Sequence, residues 1–166
     1  MPSSLEKWQE MKYNNPSEYR LTKYNYKLRN EVKHNPENII ENVNVAQEKY
    51  TKYLFDGDNE KGLTKGKLIT DILGYDINNY NEFDKLIKNN IKYFPRRDRG
   101  TTKYGDKYEV NMVVKGLKNR QAKLTVGIIS PTDEENNLTS VYIEKLKESE
   151  LSYEELYNKR TRQNKN

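Results

Sequence analysis

The sequence predicts an α+β fold, in which N-terminal helices are followed by a small antiparallel β-sheet and a short C-terminal helix. Up to about residue 89, apolar residues recur at intervals of three and four, which is typical of helices with one buried face. From about residue 107 they alternate with polar residues, which is typical of strands with one buried face. Helices followed by a run of strands favour an α+β fold over a parallel α/β sheet.

The first 44 residues are predicted to form a helical arm. Ser3 begins the spacing of a capping box at the start of one helix. A second helix is predicted from near Pro16 to the Asn35-Pro36 break. Each helix has one narrow apolar stripe, so we expect the arm to lie on the main domain or on a partner rather than form a core alone.

Residues 45–146 are predicted to form the α+β domain, and three helices open it. The first is predicted at residues 45–54 and the third at residues 79–89. The second is predicted to end at Gly74, because glycine readily adopts the left-handed conformation of a C-terminal cap. The predicted apolar face of this second helix consists of Leu68, Ile69, Ile72 and Leu73.

Strands follow these helices. Residues 107–114 and 121–128 alternate between apolar and polar side chains, and residues 116–120 have the composition of a hairpin turn between them. Apolar residues within 138–143 indicate a further strand. Residues 147–166 are predicted to form a C-terminal helix and a basic tail, with acidic residues before basic ones, as the helix dipole favours.

The composition excludes several classes of protein. The chain has no cysteine, which excludes disulfides and thiolate metal sites. It has no apolar run near the roughly 18 residues that a membrane span needs, and Met1–Glu10 lacks the apolar core of a signal peptide. We therefore expect a soluble, intracellular protein with no membrane association, no metal and no cofactor.

Positive charge is concentrated between residues 85 and 123. This window contains 12 basic and 3 acidic side chains, a net charge of +9, whereas the whole chain carries only +5. Such a concentration predicts an anionic partner, and nucleic-acid phosphate is the first candidate.

Three arginines in this window are the strongest candidates for binding phosphate. Arg96, Arg97 and Arg99 lie between Pro95 and Gly100, in a stretch that predicts a loop. Arginine presents a planar fork of donors that matches a phosphate group. A solvated or internally paired loop is the alternative interpretation of the same residues.

Five more basic residues complete the candidate nucleic-acid-binding set. Three of them alternate with the apolar positions of the predicted strands, and two lie in the predicted hairpin turn. Lysine is also an ordinary residue for the wet face of a sheet, so this pattern alone is compatible with either interpretation. The five residues are Lys107, Lys115, Lys118, Arg120 and Lys123.

Catalysis by histidine is not expected. The one histidine, His34, lies in the arm, where we expect a surface position. Cleavage of RNA does not require histidine, because the 2′-hydroxyl is an internal nucleophile that needs proton transfer and stabilisation of charge. Lys103 and Tyr104, which follow the three arginines, are candidates for proton transfer or for stacking on a base.

The N-terminal segment carries a resemblance to a known family. Residues 4–19 read Ser-Leu-Glu-Lys-Trp-Gln-Glu-Met-Lys-Tyr-Asn-Asn-Pro-Ser-Glu-Tyr. This stretch resembles the segment that follows the head-morphogenesis domain in phage minor head proteins of low-GC bacteria, and the likeness extends over about the first 33 residues. In those proteins the segment precedes a variable C-terminal domain that is often toxin-like. The resemblance implies an association with a phage or prophage, and therefore a location in the cytoplasm of a bacterial host cell.

Four elements of the α+β domain carry a second resemblance. They are Lys52-Tyr53-Leu54-Phe55, Gly66-Lys67 leading to Leu73-Gly74-Tyr75, Tyr104-Gly105-Asp106-Lys107-Tyr108-Glu109-Val110, and Leu138-Thr139-Ser140-Val141-Tyr142. In this order they resemble a small uncharacterised domain at the C-termini of bacterial polymorphic toxins and phage head-associated proteins. That domain is similar to the barnase/EndoU/colicin/RelE-like ribonuclease toxins, which have helices followed by a sheet.

The second resemblance implies that Lys67, Tyr104 and Lys107 occupy positions that recur in that domain, and it adds Lys67 to Lys103 and Tyr104 as a candidate for proton transfer or stacking. The chain departs from the pattern in two places. It has no histidine in the domain, and it has Gly127-Ile128-Ile129-Ser130 where a tryptophan is common. The departures bear on activity more than on fold.

These observations lead to one hypothesis and one alternative. The leading hypothesis is a phage-associated RNA-binding protein that acts as a metal-independent ribonuclease toxin domain, with RNA as its main partner and a host or immunity protein as a second. The alternative is a non-enzymatic phage protein that inhibits a host defence complex, as an anti-CRISPR protein does, or docks on the phage head. The pattern carries no information on oligomeric state.

Overall fold

The computed structural model describes residues 23–118 and 120–147. Within them, Leu28–Lys145 forms one compact unit. A second unit, Met1–Lys27 with Leu146–Asn166, lies almost entirely outside the described residues. Residues 4–19, which carry the resemblance to the phage segment, lie outside the described residues. So do all but the first residue of the predicted C-terminal helix and tail.

The order of elements confirms the α+β class. The helices are α1 (Lys23–His34), α2 (Gln47–Lys49), α3 (Glu60–Leu73) and α4 (Tyr80–Asn90); α2 continues as a π-helical turn over Tyr50–Leu54, and α4 continues as a 3₁₀ turn over Ile91–Tyr93. The strands are β1 (Arg96–Thr102), β2 (Gly105–Lys115), β3 (Gln121–Thr132) and β4 (Glu135–Lys145). The described chain thus ends in strands.

Side-chain and glycine caps fix the ends of α3. The Asn59 side chain accepts a hydrogen bond from the Gly62 backbone N–H at 3.0 Å, which satisfies one of the free donors of the first turn. At the other end, Gly74 has φ of 89° and its N–H donates to the Thr70 carbonyl at 2.9 Å. The cap predicted at Gly74 is confirmed.

The buried face of α3 is narrower than the sequence predicts. Ile69, Ile72 and Leu73 are buried, but Leu68 is 46% exposed. The buried side of the helix is centred on Gly62, Gly66, Ile69 and Leu73, and Leu68 lies about 140° around the helix from Leu73. Its assignment to the apolar face was wrong.

The four strands form one antiparallel sheet in the order β1-β2-β3-β4. Arg96, Val110, Val126 and Val141 stand opposite one another in successive strands, so they share one face. The three valines are buried, which identifies this as the face turned to the core. The other face carries mostly polar side chains, and we call it the polar face.

Strand β1 occupies the stretch that the sequence predicts to be a loop. Arg96 to Asp98 pair with Val110 to Tyr108 of β2, and the prediction of a loop was wrong. The strand has a neighbour on one side only, and five of its seven residues are exposed. A charged sequence suits an outer strand because it discourages pairing with other chains, but it hides the alternation that reveals a strand.

Residues 36–44 cross the sheet from one outer strand to the other, and we call them the crossing segment. At its start, the Arg96 N–H donates to the Asn38 carbonyl at 3.0 Å, and the Asn38 side-chain amide donates to the Arg96 carbonyl at 3.1 Å. At its end, Asn44 forms a parallel bridge with Asn137 of β4. The six residue steps between these points span at most about 20 Å, against about 14 Å for three strand spacings.

The crossing segment contributes to the core. Ile40 and Val43 are 1% and 5% exposed. The compact unit therefore includes residues 28–44, which the sequence predicts to belong to the arm.

An aromatic cluster packs between α2 and α4. The Tyr50 ring stacks on Tyr80 at 5.6 Å between centroids and meets the edge of Phe83 at 6.0 Å. The Tyr50 hydroxyl donates to an Asp84 carboxylate oxygen at 2.7 Å. Burial, together with this carboxylate, raises the pKa of Tyr50 far above its usual value. Tyrosine thus supplies core volume while its hydroxyl keeps a hydrogen-bond partner.

Candidate nucleic-acid interface

The candidate interface is built on the β1–β2 hairpin, residues 96–115, which we call the basic hairpin. Its strands diverge from regular pairing at one point, where Arg99 and Gly100 together stand opposite Lys107. Gly100 has φ of 96° there, which glycine adopts readily. The bulge places two cationic side chains, Arg99 and Lys107, next to each other across the two strands.

Two threonines hold the turn of the basic hairpin. The Thr102 hydroxyl accepts a hydrogen bond from the Tyr104 N–H at 3.1 Å and lies 3.2 Å from the Gly105 carbonyl. The Thr101 hydroxyl donates to an Asp106 carboxylate oxygen at 2.8 Å. These bonds fix the backbone on both sides of Tyr104.

Glycine at position 105 is required by its surroundings. Its φ is 134°, a conformation that side-chain-bearing residues rarely adopt. A Cβ at this position would also collide with the backbone carbonyl of Ser130 on β3. The turn therefore lies directly against the end of β3.

Arg97 and Arg99 each form one surface ion pair. The Arg97 guanidinium lies 2.8 Å from the Glu31 carboxylate of α1, and that of Arg99 lies 3.1 Å from Glu109 of β2. Both arginine side chains remain more than a third exposed. Internal pairing, the alternative interpretation of these arginines, does occur, and it leaves both side chains accessible.

Arg96 lies in a different environment. Its guanidinium carbon is 4.5 Å from the centroid of the Tyr108 ring, and its backbone binds Asn38 of the crossing segment. It also lines a cavity of about 480 Å³ between the crossing segment and the β3–β4 turn. Four carboxylates line the same cavity: Glu37, Glu41, Asp133 and Glu134. These carboxylates would repel an anion that bound at Arg96.

Lys103 and Tyr104 form the tip of the basic hairpin. The Tyr104 ring is 67% exposed, and the Lys103 ammonium lies 5.0 Å from its centroid. Such a cation and ring are close enough to attract each other. The structure thus brings together two of the three residues predicted to act in catalysis or stacking.

The third of these residues, Lys67, lies elsewhere. It is exposed on α3, a helix whose main strand contacts are with β4 and β3, and it is remote in sequence from the basic hairpin. The one histidine, His34, is exposed at the end of α1, with its Nδ1 2.9 Å from the Asn30 carbonyl oxygen. Its predicted surface position is confirmed.

The remaining basic candidates divide between the polar face and the β2–β3 turn. Lys107 and Lys115 are exposed on the polar face, and Lys123 is half-buried on the same face. Lys118 donates to the Asp71 carbonyl at 3.0 Å and so anchors the turn to α3, while Arg120 is exposed.

Sequence reasoning missed the groups that surround the arginines. Glu31 forms an ion pair with Arg97, and Glu109 forms one with Arg99. The ring of Tyr108 contacts the guanidinium of Arg96. The Glu109 contact follows from the pairing of β1 with β2, which the charged sequence of β1 conceals. β1 has no apolar residue whose alternation could have revealed this pairing.

Together these features define a class of protein: a small α+β domain whose outer hairpin is basic and carries an exposed tyrosine at its tip. Residues 36–145 match the family described as Domain of unknown function (DUF6883), and this range covers more than half of the chain. The chain belongs to that family. Comparison with curated proteins and with solved structures gives no significant match.

Two further findings concern the described residues alone. None of their helices combines the length and the apolar character that crossing a bilayer requires. No group of three or more of their acidic or histidine side chains is arranged to hold a metal ion.

Proposed function

We propose that the protein binds RNA through the polar face and the tip of the basic hairpin. The observation that supports the proposal is the arrangement of Arg97, Arg99 and Lys107 on one accessible hairpin with Lys103 and Tyr104 at its end. Phosphate contacts supply affinity and an exposed aromatic ring supplies a surface for a base, which is how many proteins hold RNA.

The ion pairs of the two arginines are compatible with phosphate binding. A surface ion pair contributes about 0–1 kcal/mol, because water screens it and both side chains lose freedom. Each guanidinium has five donors, and each of these pairs rests on a single N–O contact. A phosphate can bind the remaining donors or displace the carboxylate.

Arg96 has a structural part in this proposal. Its guanidinium stacks on Tyr108, its backbone holds the crossing segment, and carboxylates line the cavity beside it. Repulsion between those carboxylates and a phosphate would offset the attraction of one arginine. We therefore assign the phosphate contacts to the cations of the polar face and of the tip.

The test is RNA binding measured by fluorescence anisotropy between 50 and 200 mM salt. The variant Arg97→Gln/Arg99→Gln/Lys107→Gln removes three cations from the basic hairpin. Removing one cation that binds a phosphate should lower the slope of log affinity against log salt by about 0.7, so removing all three should lower it by about 2. Lys52→Gln/Lys61→Gln/Lys85→Gln is the matched control, since it removes three exposed lysines from the helices.

Equal losses of affinity in the two triple variants would show that binding follows net charge and not the basic hairpin. Absence of binding by the unchanged protein at 50 mM salt would refute the proposal outright. Retention of one host protein by an RNase-treated sample, with RNA left intact, would favour the alternative of a phage protein that inhibits a host complex.

The proposal extends to metal-independent cleavage by a phage-associated toxin domain in the host cytoplasm. Lys103 and Tyr104 are the titratable side chains at the tip, so they are the residues that could move a proton near a bound phosphate. Incubation of total RNA with the protein in EDTA tests this extension. Cleavage that Lys103→Ala abolishes would support it, whereas intact RNA with normal binding would restrict the function to binding.

A further inference from the structure

We infer that the tip of the basic hairpin selects unpaired RNA by stacking one base on the ring of Tyr104. This inference rests on the proposed RNA binding and specifies its substrate class. It starts from the exposure of the ring. At 67%, Tyr104 is the most exposed large hydrophobic residue among those that the structure describes in the compact unit.

The backbone beneath the ring is fixed in advance. The Tyr104 N–H is held by the Thr102 hydroxyl at 3.1 Å, and the Gly105 backbone lies against the Ser130 carbonyl of β3. A ring on such a support loses little further backbone freedom when a ligand binds, so more of the stacking energy appears as affinity. The tip is therefore suited to presenting a flat apolar surface to a ligand.

The charges around the ring fit a nucleotide rather than an apolar ligand. The Lys103 ammonium lies 5.0 Å from the ring centroid. Lys107 is exposed three residues further along, about 10 Å away in an extended strand. A base on the ring would thus have cations within reach of the phosphates on both of its sides.

Stacking of this kind distinguishes unpaired from paired RNA. In an A-form duplex the faces of the bases are covered by their neighbours, so a ring on a protruding hairpin cannot lie on them. In a single strand the bases can turn out, and any base offers a face for stacking. The tip should consequently prefer single strands without a strong preference for sequence.

The experiment compares a 12-nucleotide single-stranded RNA with a blunt-ended RNA duplex of 12 base pairs, which has no unpaired base. Tyr104→Ala should weaken binding of the single strand by about 5-fold to 150-fold, which corresponds to about 1–3 kcal/mol per stacked base. The affinity of Tyr104→Ala for the duplex should equal that of the unchanged protein. The slope of log affinity against log salt should also be unchanged. Tyr104→Phe should bind both RNAs as the unchanged protein does, because stacking needs the ring and not the hydroxyl.

Tyr142→Ala is the matched control. Tyr142 is 46% exposed on β4, the other outer strand, and its ring lies 3.9 Å from the Lys65 ammonium. This variant also removes an exposed tyrosine beside a lysine, but away from the basic hairpin. It should bind both RNAs normally.

An RNA with abasic positions supplies a second readout. Removing the bases leaves the phosphates, so the unchanged protein should bind the abasic strand about as weakly as Tyr104→Ala binds the normal strand. Tyr104→Ala should lose nothing further on the abasic strand. Equal losses on single-stranded and duplex RNA, or a loss in Tyr142→Ala as large as in Tyr104→Ala, would overturn the inference while the proposed RNA binding stands.

Discussion

The aromatic cluster around Tyr50 and the tip of the basic hairpin place the same kind of side chain in opposite environments. Tyr50 is 2% exposed, its ring contacts Tyr80 and Phe83, and its hydroxyl is bonded to Asp84. Tyr104 is 67% exposed, and its bond to Thr102 is made through the backbone. The ring and hydroxyl of Tyr50 both contact other core residues, whereas the contact described for the Tyr104 ring is with Lys103, its neighbour in the chain.

The difference shows how a polar chain divides its aromatic residues. Only 33% of the residues are hydrophobic, and 14 are tyrosines, so the core has to use some of them. The hydroxyl of a buried tyrosine needs a hydrogen-bond partner, and Asp84 is that partner for Tyr50. An aromatic ring that the fold supports but does not bury is available for a ligand.

The largest effect expected from this comparison is on stability. Phe83→Ala should lower the free energy of unfolding by about 3–5 kcal/mol, because Phe83 is fully buried and its removal leaves a cavity among the aromatic rings. Tyr104→Ala should change it by less than about 0.5 kcal/mol, as exposed sites do. Urea denaturation of both variants checks this contrast, and similar losses would mean that the tip is part of the core.

A smaller loss of stability is expected at Gly105, in the turn that supports Tyr104. Gly105→Ala should cost about 2–3 kcal/mol, because alanine disfavours φ of 134° and its Cβ would meet the Ser130 carbonyl. Gly100→Ala is the matched control, since φ is 96° there but the space around it is open, and it should cost about 1 kcal/mol. Urea denaturation of the two variants measures both costs.

The same pair of glycine variants tests whether the position of the tip matters for RNA. Gly105→Ala should also weaken binding of single-stranded RNA, since the Tyr104 ring would move with the turn. If Gly105→Ala were as stable as Gly100→Ala and bound RNA normally, the turn would not be the rigid support that the inference requires.

The smallest effect concerns the hydroxyl of Tyr50 and depends on pH. Tyr50→Phe should lower the free energy of unfolding by about 1 kcal/mol at pH 8, through loss of the bond to Asp84. Above pH 10, Tyr50 loses its proton in the unfolded chain but keeps it in the folded one, where burial and Asp84 raise its pKa. The unchanged protein should therefore lose up to about 1.4 kcal/mol more per pH unit than the variant.

Urea denaturation at intervals between pH 8 and pH 11 measures this difference. The gap between the unchanged protein and Tyr50→Phe should narrow as the pH rises past 10. A constant gap would mean that Tyr50 ionises at the same pH in both states.

The elements that the sequence reveals are those whose pattern has a local cause. The cap at Gly74 requires a glycine, and β2 and β3 alternate because each has a neighbour on both sides and one buried face. β1 carries the sequence Arg-Arg-Asp-Arg-Gly-Thr-Thr, which has no apolar residue to alternate, so its strand depends on pairing with β2. Local patterns cannot show such a dependence.

The candidate site was predictable to a similar extent. Lys103 and Tyr104 are neighbours in the chain, so their meeting at the tip needed only the turn between Thr102 and Gly105. Lys67 precedes Lys103 by 36 residues. Where it lies relative to the tip depends on how α3 packs on the sheet. The ion pair of Arg97 with Glu31 joins residues 66 apart and likewise depends on tertiary structure.

The crossing segment sets an order of events during synthesis. Asn44 leaves the ribosome long before Asn137, its partner in β4, which is translated 93 residues later. At about 5–20 residues per second, the buried side chains Ile40 and Val43 wait about 5–20 s before β4 is complete. The first part of the compact unit to be translated therefore completes its pairing with the sheet only after the last strand has been made.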